Sequence, residues 1–418
     1  MITKEQFEQL AGVKLFEQDG KLVCDDDLYL EGRTDITELP ENLTVLGHLN
    51  LRNSGITKLP KGLEVEKWVN ISYTEIEELP EDTKLGGDLY ANIMFKPFSF
   101  PKIVKVNGNF ECTYTRIKRM SEELYINGYC DFSHSKFDKL PKVMEIGYRL
   151  DLYDTAITGL PKGLKEVYGS LNISKTNVKM LNDNLVIHDD FYLINVPIEK
   201  LPKGLIVRRT FDLRNTNLKD YSNLHKVCSK FIIDEDKYNK IKDSLPKHTN
   251  YNVGKLFALN NEVRVTFEPN HKGAYLFENE NGRYIKADGI FGKIVEQKGN
   301  VYHIRLNGGN EITYTYLVTD GKGKWSDGDT LVEAKANLIY KNSKRDKSDY
   351  ENLMLDNELS FEDAIVCYRV ITGADSFDIK RFIKNKFNKN NKDKYTIADI
   401  IELTEGEYGG DEFRKFFD

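Results

Sequence analysis

Cysteine and histidine are the residue types in this 418-residue chain best suited to nucleophilic or metal chemistry. The five cysteines include no CxxC pair, and the seven histidines are too dispersed to predict a metal site. Cys112 and Cys130 fall at apolar strand positions, and Cys367 shares a helix face with Ala364 and Val370, so burial in a core is the favoured interpretation. Phosphate-loop, GxGxxG and HExxH motifs are also absent from the sequence. We therefore predict no catalytic residue, no metal site and no cofactor.

A second set of residues has the types and the regular spacing of a protein-binding surface. Aromatic and charged side chains recur about every 20 residues, each beside an apolar residue. Exposed aromatic side chains often anchor protein interfaces, and the carboxylates of Glu111, Asp131 and Asp151 favour a partner patch that carries Lys or Arg. The alternative is that these side chains only cover a hydrated β surface. The predicted partner-binding residues are Tyr29, His48, Trp68, Tyr90, Glu111, Tyr129, Asp131, Arg149, Asp151, Tyr153 and Tyr192.

This spacing comes from an internal repeat of 20 or 21 residues. Each repeat has an apolar-x-apolar strand, variable residues with Ser or Thr, an Ile-x-x-Leu-Pro pattern and a second apolar-x-apolar pair, as in LNLRNSGITKLPKGLEV at 49–65. The first strand residues are Leu28, Leu49, Val69, Leu89, Phe110, Cys130, Leu150, Leu171, Phe191 and Phe211. Ten repeats of so regular a period predict a solenoid, in which neighbouring turns cover the core of each turn.

The alternation within a repeat predicts which side chains are exposed. Leu49 and Leu51 should point to one side of a strand and Asn50 to the other. We expect one short strand per turn, exposed columns on the concave face, and an irregular or extended convex side. The column that contains Trp68 lies one residue before the strands. It joins the concave face if the pleat of the strand backbone flattens there. Gly47, two residues before a strand, predicts a bend without room for a Cβ, or a positive φ.

The repeats resemble the leucine-rich-repeat family, specifically the short bacterial type with Leu-Pro in each repeat. The usual asparagine of that family is here a hydroxyl residue in most turns, which we interpret as a shorter version of its buried hydrogen-bond ladder; Met94 and Val196 replace it in two turns. Bacterial effectors with such repeats carry a ubiquitin ligase with a Cys-x-Asp motif. Cys367 is followed by Tyr368 and Arg369, so the resemblance stops at the repeats. The hydroxyl residues are Ser54, Thr74, Thr115, Ser135, Thr155, Thr176 and Thr216.

The repeat period disappears after the solenoid. Six alternating or aromatic-rich runs from 262 to 318 predict a meander that forms a small barrel or curled sheet. Capping boxes at Thr330, Ser360 and Thr396 then mark three helix starts, and helices are predicted at about 329–341, 346–355, 360–372, 376–388, 396–404 and 411–417. The fold class is therefore α+β, with an N-terminal cap (1–27), a ten-turn solenoid (28–217), a C-terminal cap (218–250), a small β unit (251–322) and a helical unit (323–418).

The C-terminal part is similar to uncharacterised proteins of gut bacteria and their bacteriophages. The residues that carry this likeness are YLVTDGKGKWSDGDTLVEAKANLIYK, CYRVITGA and YTIADIIELTEGEYG. A basic run at 378–395, interleaved with Phe382 and Phe387, is a candidate contact for nucleic-acid phosphates. The alternative is a helix with buried phenylalanines and solvated lysines. The candidate nucleic-acid-binding residues are Lys380, Arg381, Lys384, Lys386 and Lys389.

Composition and charge are those of an ordinary globular chain. The net charge is −6, and neither 1–251 (35 basic, 38 acidic residues) nor 252–418 (25 basic, 28 acidic) predicts a bulk polyanion binder. Unpaired cysteines and a polar N-terminal stretch favour a cytoplasmic protein without membrane contact, in a host cell or in a virion if phage-encoded; export without a signal would look the same. We expect a non-enzymatic protein that binds a protein partner on its concave face. The alternative is a C-terminal nucleic-acid-binding or catalytic domain targeted by the repeats.

Overall fold

The computed structural model describes residues 2–246, 249–254, 262–308, 311–374, 379, 392 and 394–418. The chain forms two compact units. The first comprises Met1–Glu268 with Phe277–Asn281 and Asn307–Glu311, and the second comprises Pro269–Leu276, Gly282–Leu306 and Ile312–Asp418.

The first unit is a parallel β-solenoid with one long sheet running through it. Each turn places a short strand beside the strand of the preceding turn, in register 20 or 21 residues apart, so that Leu28 pairs with Leu49 and Leu49 with Val69. The sequence predicted ten such strands, and the structure has eleven. Phe231 pairs with Phe211 and continues the apolar column after the Leu-Pro pattern has ended. The parallel strands are Leu28–Tyr29, Leu49–Asn50, Val69–Asn70, Leu89–Tyr90, Phe110–Glu111, Cys130–Asp131, Leu150–Asp151, Leu171–Asn172, Phe191–Tyr192, Ile206–Asp212 and Cys228–Asp234.

A second parallel sheet corrects the prediction of one strand per turn. The second apolar-x-apolar pair of the repeat also alternates with a period of two, and it stacks in register with its copies, as Val45 does with Val65. In the tenth turn Ile206–Asp212 joins both layers, since Ile206 pairs with Val186 and Phe211 with Phe191. The parallel strands of the second sheet are Lys21–Cys24, Leu43–Val45, Glu64–Val65, Lys84–Leu85, Ile103–Val106, Glu123–Ile126 and Val143–Ile146. Glu166–Val167 and Val186–Ile187 occupy the same position of later repeats, but they pair with each other and with Ile206–Asp212 of the long sheet. Phe98–Ser99 and Ile117–Arg119 form a small third sheet.

Buried hydroxyl groups bond to backbone carbonyls inside the solenoid, as predicted. Thr74, Thr155 and Thr176 each donate from Oγ1 to the carbonyl oxygen three residues earlier in the same turn, at 2.7–2.8 Å. Thr115 and Ser135 donate to carbonyl oxygens of the preceding turn, at 3.1 and 2.6 Å. In the turn where Met94 replaces the hydroxyl, the Met94 N–H donates instead to Thr115 Oγ1 of the next turn at 3.2 Å.

Close approach of the backbones explains the glycines that precede the strands. A Cβ on Gly47 would lie 2.6 Å from the backbone nitrogen of Asp27, and a Cβ on Gly108 would lie 2.8 Å from that of Asp88. Neither glycine has a positive φ. Crowding against the preceding turn, rather than a left-handed conformation, therefore requires glycine at these positions.

Both ends of the solenoid are covered by non-repeat elements. At the N-terminus the helix Lys4–Ala11 buries Phe7, whereas Leu10 of the same helix is 43% exposed. Next, Phe16–Gln18 pairs antiparallel with the first strand of the second sheet. At the other end Glu262–Phe267 lies antiparallel between Cys228–Asp234 and Thr249–Gly254. We had predicted 262–268 as the first strand of the meander. It joins the solenoid because Val263, Val265 and Phe267 complete its core.

Short helices complete this end of the solenoid. The helix Glu235–Ile241 lies here, followed by the 3-10 turn Lys242–Ser244. Another 3-10 turn, Leu224–Lys226, precedes the eleventh strand.

The chain after Glu268 forms an antiparallel sheet and a group of helices. The six strands of this sheet, in which spatial order equals chain order, are Tyr275–Asn279, Gly282–Ala287, Ile290–Lys298, Val301–Gly308, Glu311–Thr319 and Trp325–Gly328. The helices Leu331–Asn342, Phe361–Thr372, Ile397–Leu403 and Gly410–Phe417 agree with prediction, and Thr330, Ser360 and Thr396 cap the first three. The predicted helix at 346–355 is only the 3-10 turn Lys347–Tyr350, and that at 376–388 lies, apart from Ile379, outside the described residues. A two-stranded ladder joins Glu358–Ser360 to Lys394–Thr396.

Candidate binding face of the long sheet

The predicted partner-binding residues lie on the side of the long sheet opposite its buried leucine and phenylalanine columns. We define this open face by three columns of side chains, each with one residue from every turn of the solenoid. In the first turn these residues are Asp27, Tyr29 and Glu31. Ring contacts between Trp68 of the first column and Tyr90 of the second, with centroids 6.4 Å apart, show that neighbouring columns meet on one surface. Tyr153 belongs to the third column.

Four of the predicted residues form an aromatic cluster at the N-terminal end of the open face. The imidazole of His48 stacks on the indole of Trp68 at 4.5 Å, with 20° between the rings. Tyr29 packs at 6.1 Å from the same indole, and Tyr90 approaches it edge-on. Tyr29 is 56% exposed, and Trp68 is half-buried. The cluster therefore offers a partly exposed aromatic surface held by residues from four consecutive turns.

Side chains of the first column hold the turns together. Asp27 Oδ1 accepts the backbone N–H of His48 at 2.8 Å, and Asp88 Oδ1 accepts that of Asn109 at 2.6 Å. His48 Nδ1 likewise accepts the N–H of Trp68 at 3.3 Å. The N–H group of His48 is the main cause that lowers the pKa of Asp27, so this carboxyl is charged at neutral pH.

The tyrosines of the cluster are tied to these same carboxylates. Tyr29 donates its hydroxyl proton to Asp27 at 3.1 Å, and Tyr90 donates to Asp88 at 2.9 Å. Burial and the neighbouring carboxylate raise the pKa of Tyr90 to about 12, and the same causes raise the pKa of Tyr29. Both hydroxyls thus remain donors at neutral pH and fix the orientation of their rings.

The middle column has a structural role that the sequence did not reveal. Its Asn and Asp side chains accept the N–H of the residue two positions later, as Asn70 does from Ser72 at 3.0 Å and Asp131 from Ser133 at 2.8 Å. Asp151 accepts the N–H of Tyr153 at 2.9 Å and is only 4% exposed. These residues end each strand through the side-chain turn that Asn and Asp favour.

The three carboxylates expected to attract a basic partner already have ligands within the protein. Glu111 accepts from the hydroxyl of Tyr129 and, at 3.0 Å, from the amide of Asn92. Asp151 forms an ion pair with Arg149. Burial raises the pKa of Asp131. Hydrogen bonds and an ion pair within the open face therefore already engage carboxylate oxygens of this acidic set.

Tyr192, the last predicted residue, lies near the C-terminal end of the face. Its hydroxyl donates to Asp190 at 3.2 Å, and Asp190 Oδ1 accepts the N–H of Thr210 at 2.8 Å. This arrangement repeats that of Tyr29 and Asp27. Burial raises the pKa of Tyr192.

Aromatic residues also form a row at the turn that follows the strands. Tyr153 is the one member of this row that was predicted as a binding residue. Tyr114 stacks on His134 at 4.4 Å, and His134 meets the edge of Tyr153 at 5.0 Å. Tyr73 packs against Phe95 at 6.3 Å. Tyr114 and Phe95 are 59% and 58% exposed. The sequence could have indicated this row, since Tyr73, Tyr114 and His134 occupy the same position of the repeat.

The backbone of this turn is unusual. Its first residue has a positive φ in nine successive turns after the first, where glycine is normally favoured. Cations already contact two rings of the row, because Arg52 lies over Tyr73 at 4.3 Å and Lys175 over Tyr153 at 5.0 Å. The positive-φ residues are Asn53, Tyr73, Ile93, Tyr114, His134, Asp154, Lys175, Asn195 and Asn215.

The residue types suited to covalent or metal chemistry lie in structural positions. All five cysteines are buried with free thiols, and burial raises the pKa of Cys112 and Cys367 to about 12. Among the described residues, no three His, Cys, Asp or Glu side chains are grouped closely enough to hold a metal ion. His271 in the second unit contacts the hydroxyl of Tyr302 at 3.0 Å, and burial lowers its pKa. In the described part of the chain no helix has the length and apolarity to cross a bilayer.

All five predicted nucleic-acid-binding residues lie outside the described residues. They are Lys380, Arg381, Lys384, Lys386 and Lys389. Two further lysines of the same basic run are described, and both are paired. Lys392 contacts Asp399 at 3.0 Å, and Lys394 contacts Glu358 at 3.2 Å.

Comparisons with protein-family models, with curated proteins and with solved structures found no match for this chain. Function must therefore be inferred from the geometry of its surfaces.

Proposed function

We propose that this protein is a non-enzymatic recognition protein that holds a protein partner on the open face of its solenoid. The aromatic cluster of Tyr29, His48, Trp68 and Tyr90 is the observation that supports this most directly. A solenoid presents such a surface on a rigid frame, because each turn is held by hydrogen bonds to the next. Little conformational entropy is then lost from the solenoid on binding, and aromatic groups supply most of the contact energy.

The experiment begins with a pull-down from native cells and mass spectrometry to identify the partner. The double variant Trp68→Ala, Tyr90→Ala should then weaken binding by about 2 kcal/mol or more, the size typical of an interface hot spot. Lys61→Ala is the matched control, because Lys61 is exposed in a Leu-Pro loop outside the open face. Equal small effects of the two variants would show that the partner binds elsewhere.

We also assign the repeats to the short leucine-rich-repeat type with Leu-Pro in each turn. The 20-to-21-residue period, the Leu-Pro pairs and the buried hydroxyl ladder support this assignment. In the second unit, we propose that the six-stranded sheet curls toward a small barrel. A cytoplasmic or virion location and a bacterial or bacteriophage accessory role are part of the same proposal.

A second candidate function rests on the basic run at 378–395. It assigns to the C-terminal part nucleic-acid binding, or a catalytic activity directed to its target by the repeats. Replacing Lys384, Lys386 and Lys389 with Glu in the full chain should abolish binding to DNA or RNA and flatten its salt dependence. A parent protein that binds no nucleic acid would eliminate the binding form of this candidate.

A further inference from the structure

The aromatic cluster lies within an acidic part of the open face. Down the first column Asp27 and Asp88 flank His48 and Trp68, so that a carboxylate stands at each end of the aromatic pair. Turns in a parallel sheet are about 4.8 Å apart. Asp88 is one turn from Trp68, and Asp27 is two turns away on the other side, so both carboxylates act at short range on anything bound against the indole.

The surrounding charges leave this region negative. Over the first five turns, the three columns of the open face contain four carboxylates and one guanidinium, that of Arg52. Arg52 is already engaged, 3.3 Å from Glu31 and over the ring of Tyr73. Lys67, beside the cluster, is close enough to Asp27 to help lower its pKa. The four carboxylates are Asp27, Glu31, Asp88 and Glu111.

His48 covers one face of the indole. Its Nδ1 accepts the N–H of Trp68 at 3.3 Å, and its imidazole stacks on the indole at 4.5 Å. The electron-rich surfaces of Trp68, Tyr29 and Tyr90 remain available to a cation, and tryptophan is the aromatic residue that attracts cations most strongly.

We propose that this cluster receives a lysine or arginine side chain of the protein partner, with its charge against Trp68 and between Asp27 and Asp88. This inference rests on the proposed function and specifies the partner's chemistry at one site. A neutral sugar fits less well, since Asp27 and Asp88 each use one oxygen for a backbone N–H and the other for a tyrosine hydroxyl. Sugar hydroxyls need free directed acceptors, whereas a cation responds to the remaining negative charge.

The test uses the full chain and the indole N–H signals of its two tryptophans, Trp68 and Trp325. Trp325 is 4% exposed and donates its indole N–H to the carbonyl oxygen of Lys272 at 2.7 Å, so it is an internal control. The protein is titrated with acetyl-Gly-Arg-Gly-Arg-Gly-amide, with the same peptide in which citrulline replaces arginine, and with maltoheptaose. We expect a saturable shift of the Trp68 signal alone, with an affinity for the arginine peptide at least about five-fold higher than for the citrulline peptide.

Variants separate a local site from general attraction to an acidic protein. Asp88→Asn keeps an oxygen for the N–H of Asn109 but removes the charge, and it should weaken arginine-peptide binding about three-fold or more. Glu81→Gln removes one exposed charge outside the open face and should leave binding unchanged. Equal effects of the two variants, equal affinity for both peptides, or a response to maltoheptaose alone would overturn the inference.

The two proposals fail in different ways. If arginine does not bind but Trp68→Ala with Tyr90→Ala abolishes partner binding, the open face is the interface and the cation site is wrong. If the arginine peptide binds while partner binding is unaffected by that double variant, the cluster binds cations but the partner's side chain is not its occupant, so both proposals are wrong.

Discussion

The hydroxyl group of Ser135 donates a 2.6 Å hydrogen bond to the carbonyl oxygen of Cys112 in the preceding turn. Its oxygen also accepts the N–H of Thr115 at 2.9 Å, so one buried side chain satisfies two backbone groups. Because the backbone of a tight solenoid turn cannot form these bonds with itself, the hydroxyl ladder contributes to stability.

Ser135→Ala should therefore lower the free energy of unfolding by about 1–3 kcal/mol, the usual cost of leaving buried polar groups unpaired. Ser54→Ala is the control, since Ser54 occupies the equivalent position but is half-exposed and accepts only a 3.4 Å bond from Ile56. Urea unfolding followed by circular dichroism measures both. A loss for Ser135→Ala no larger than that for Ser54→Ala would contradict the role of the ladder.

Gly108→Ala should destabilise the protein by roughly 1–3 kcal/mol, because the added methyl group would meet the backbone of Asp88. Gly159→Ala provides the comparison. A Cβ at Gly159 meets no atom within 4 Å and its φ is not positive, so this change should be neutral or stabilising by up to about 1 kcal/mol. Thermal unfolding of both variants tests the pair, and the same shift in Tm for both would refute the crowding explanation.

Asp131→Asn should stabilise the protein at neutral pH. Burial raises the pKa of Asp131, so the folded protein binds more protons than the unfolded chain between the unfolded pKa, about 3.9, and the raised folded value. Stability therefore falls as pH rises through this window, and the cost persists at neutral pH. Asparagine removes that cost and still accepts the N–H of Ser133, as Asn70 does from Ser72.

The gain from Asp131→Asn should shrink as pH falls toward about 4, where the aspartate is increasingly protonated. Urea unfolding over this pH range measures it. The reverse change Asn172→Asp, which places a new carboxylate beside Asp151, should destabilise at neutral pH. A gain that is independent of pH would show that charge burial is not its cause.

Truncation should reveal the contribution of the antiparallel strand Glu262–Phe267. A fragment of residues 1–268 should unfold cooperatively, whereas one of residues 1–250 should be less stable by several kcal/mol. The shorter fragment leaves one edge of Cys228–Asp234 unpaired and removes Val263, Val265 and Phe267 from the core. It also loses the ion pair of Arg214 with Glu262 at 2.9 Å. Denaturant unfolding compares the two, and equal stability would mean that this strand is dispensable.

Features that repeat with a single period could be predicted from the sequence. The buried leucine columns, the hydroxyl ladder and the glycines before the strands were predictable, because each depends on a residue type recurring at one place in every turn. The helix caps at Thr330, Ser360 and Thr396 were equally local. Such signals do not depend on which other part of the chain lies nearby.

The end of the regular pattern and the bonding of side chains on the open face depend on contacts between distant parts of the chain, so they could not be predicted from the sequence. Strand Cys228–Asp234 extends the sheet after the Leu-Pro pattern has ended, and Glu262–Phe267 joins it rather than the meander, because these pairings depend on which apolar edges meet in space. Likewise, the sequence predicted Glu111 and Asp151 as contacts for a basic partner. It could not show that Tyr129 hydrogen-bonds to Glu111 and that Arg149 forms an ion pair with Asp151 on the same face. The stacking of His48 on Trp68 depends on the spacing between adjacent turns, which folding alone establishes.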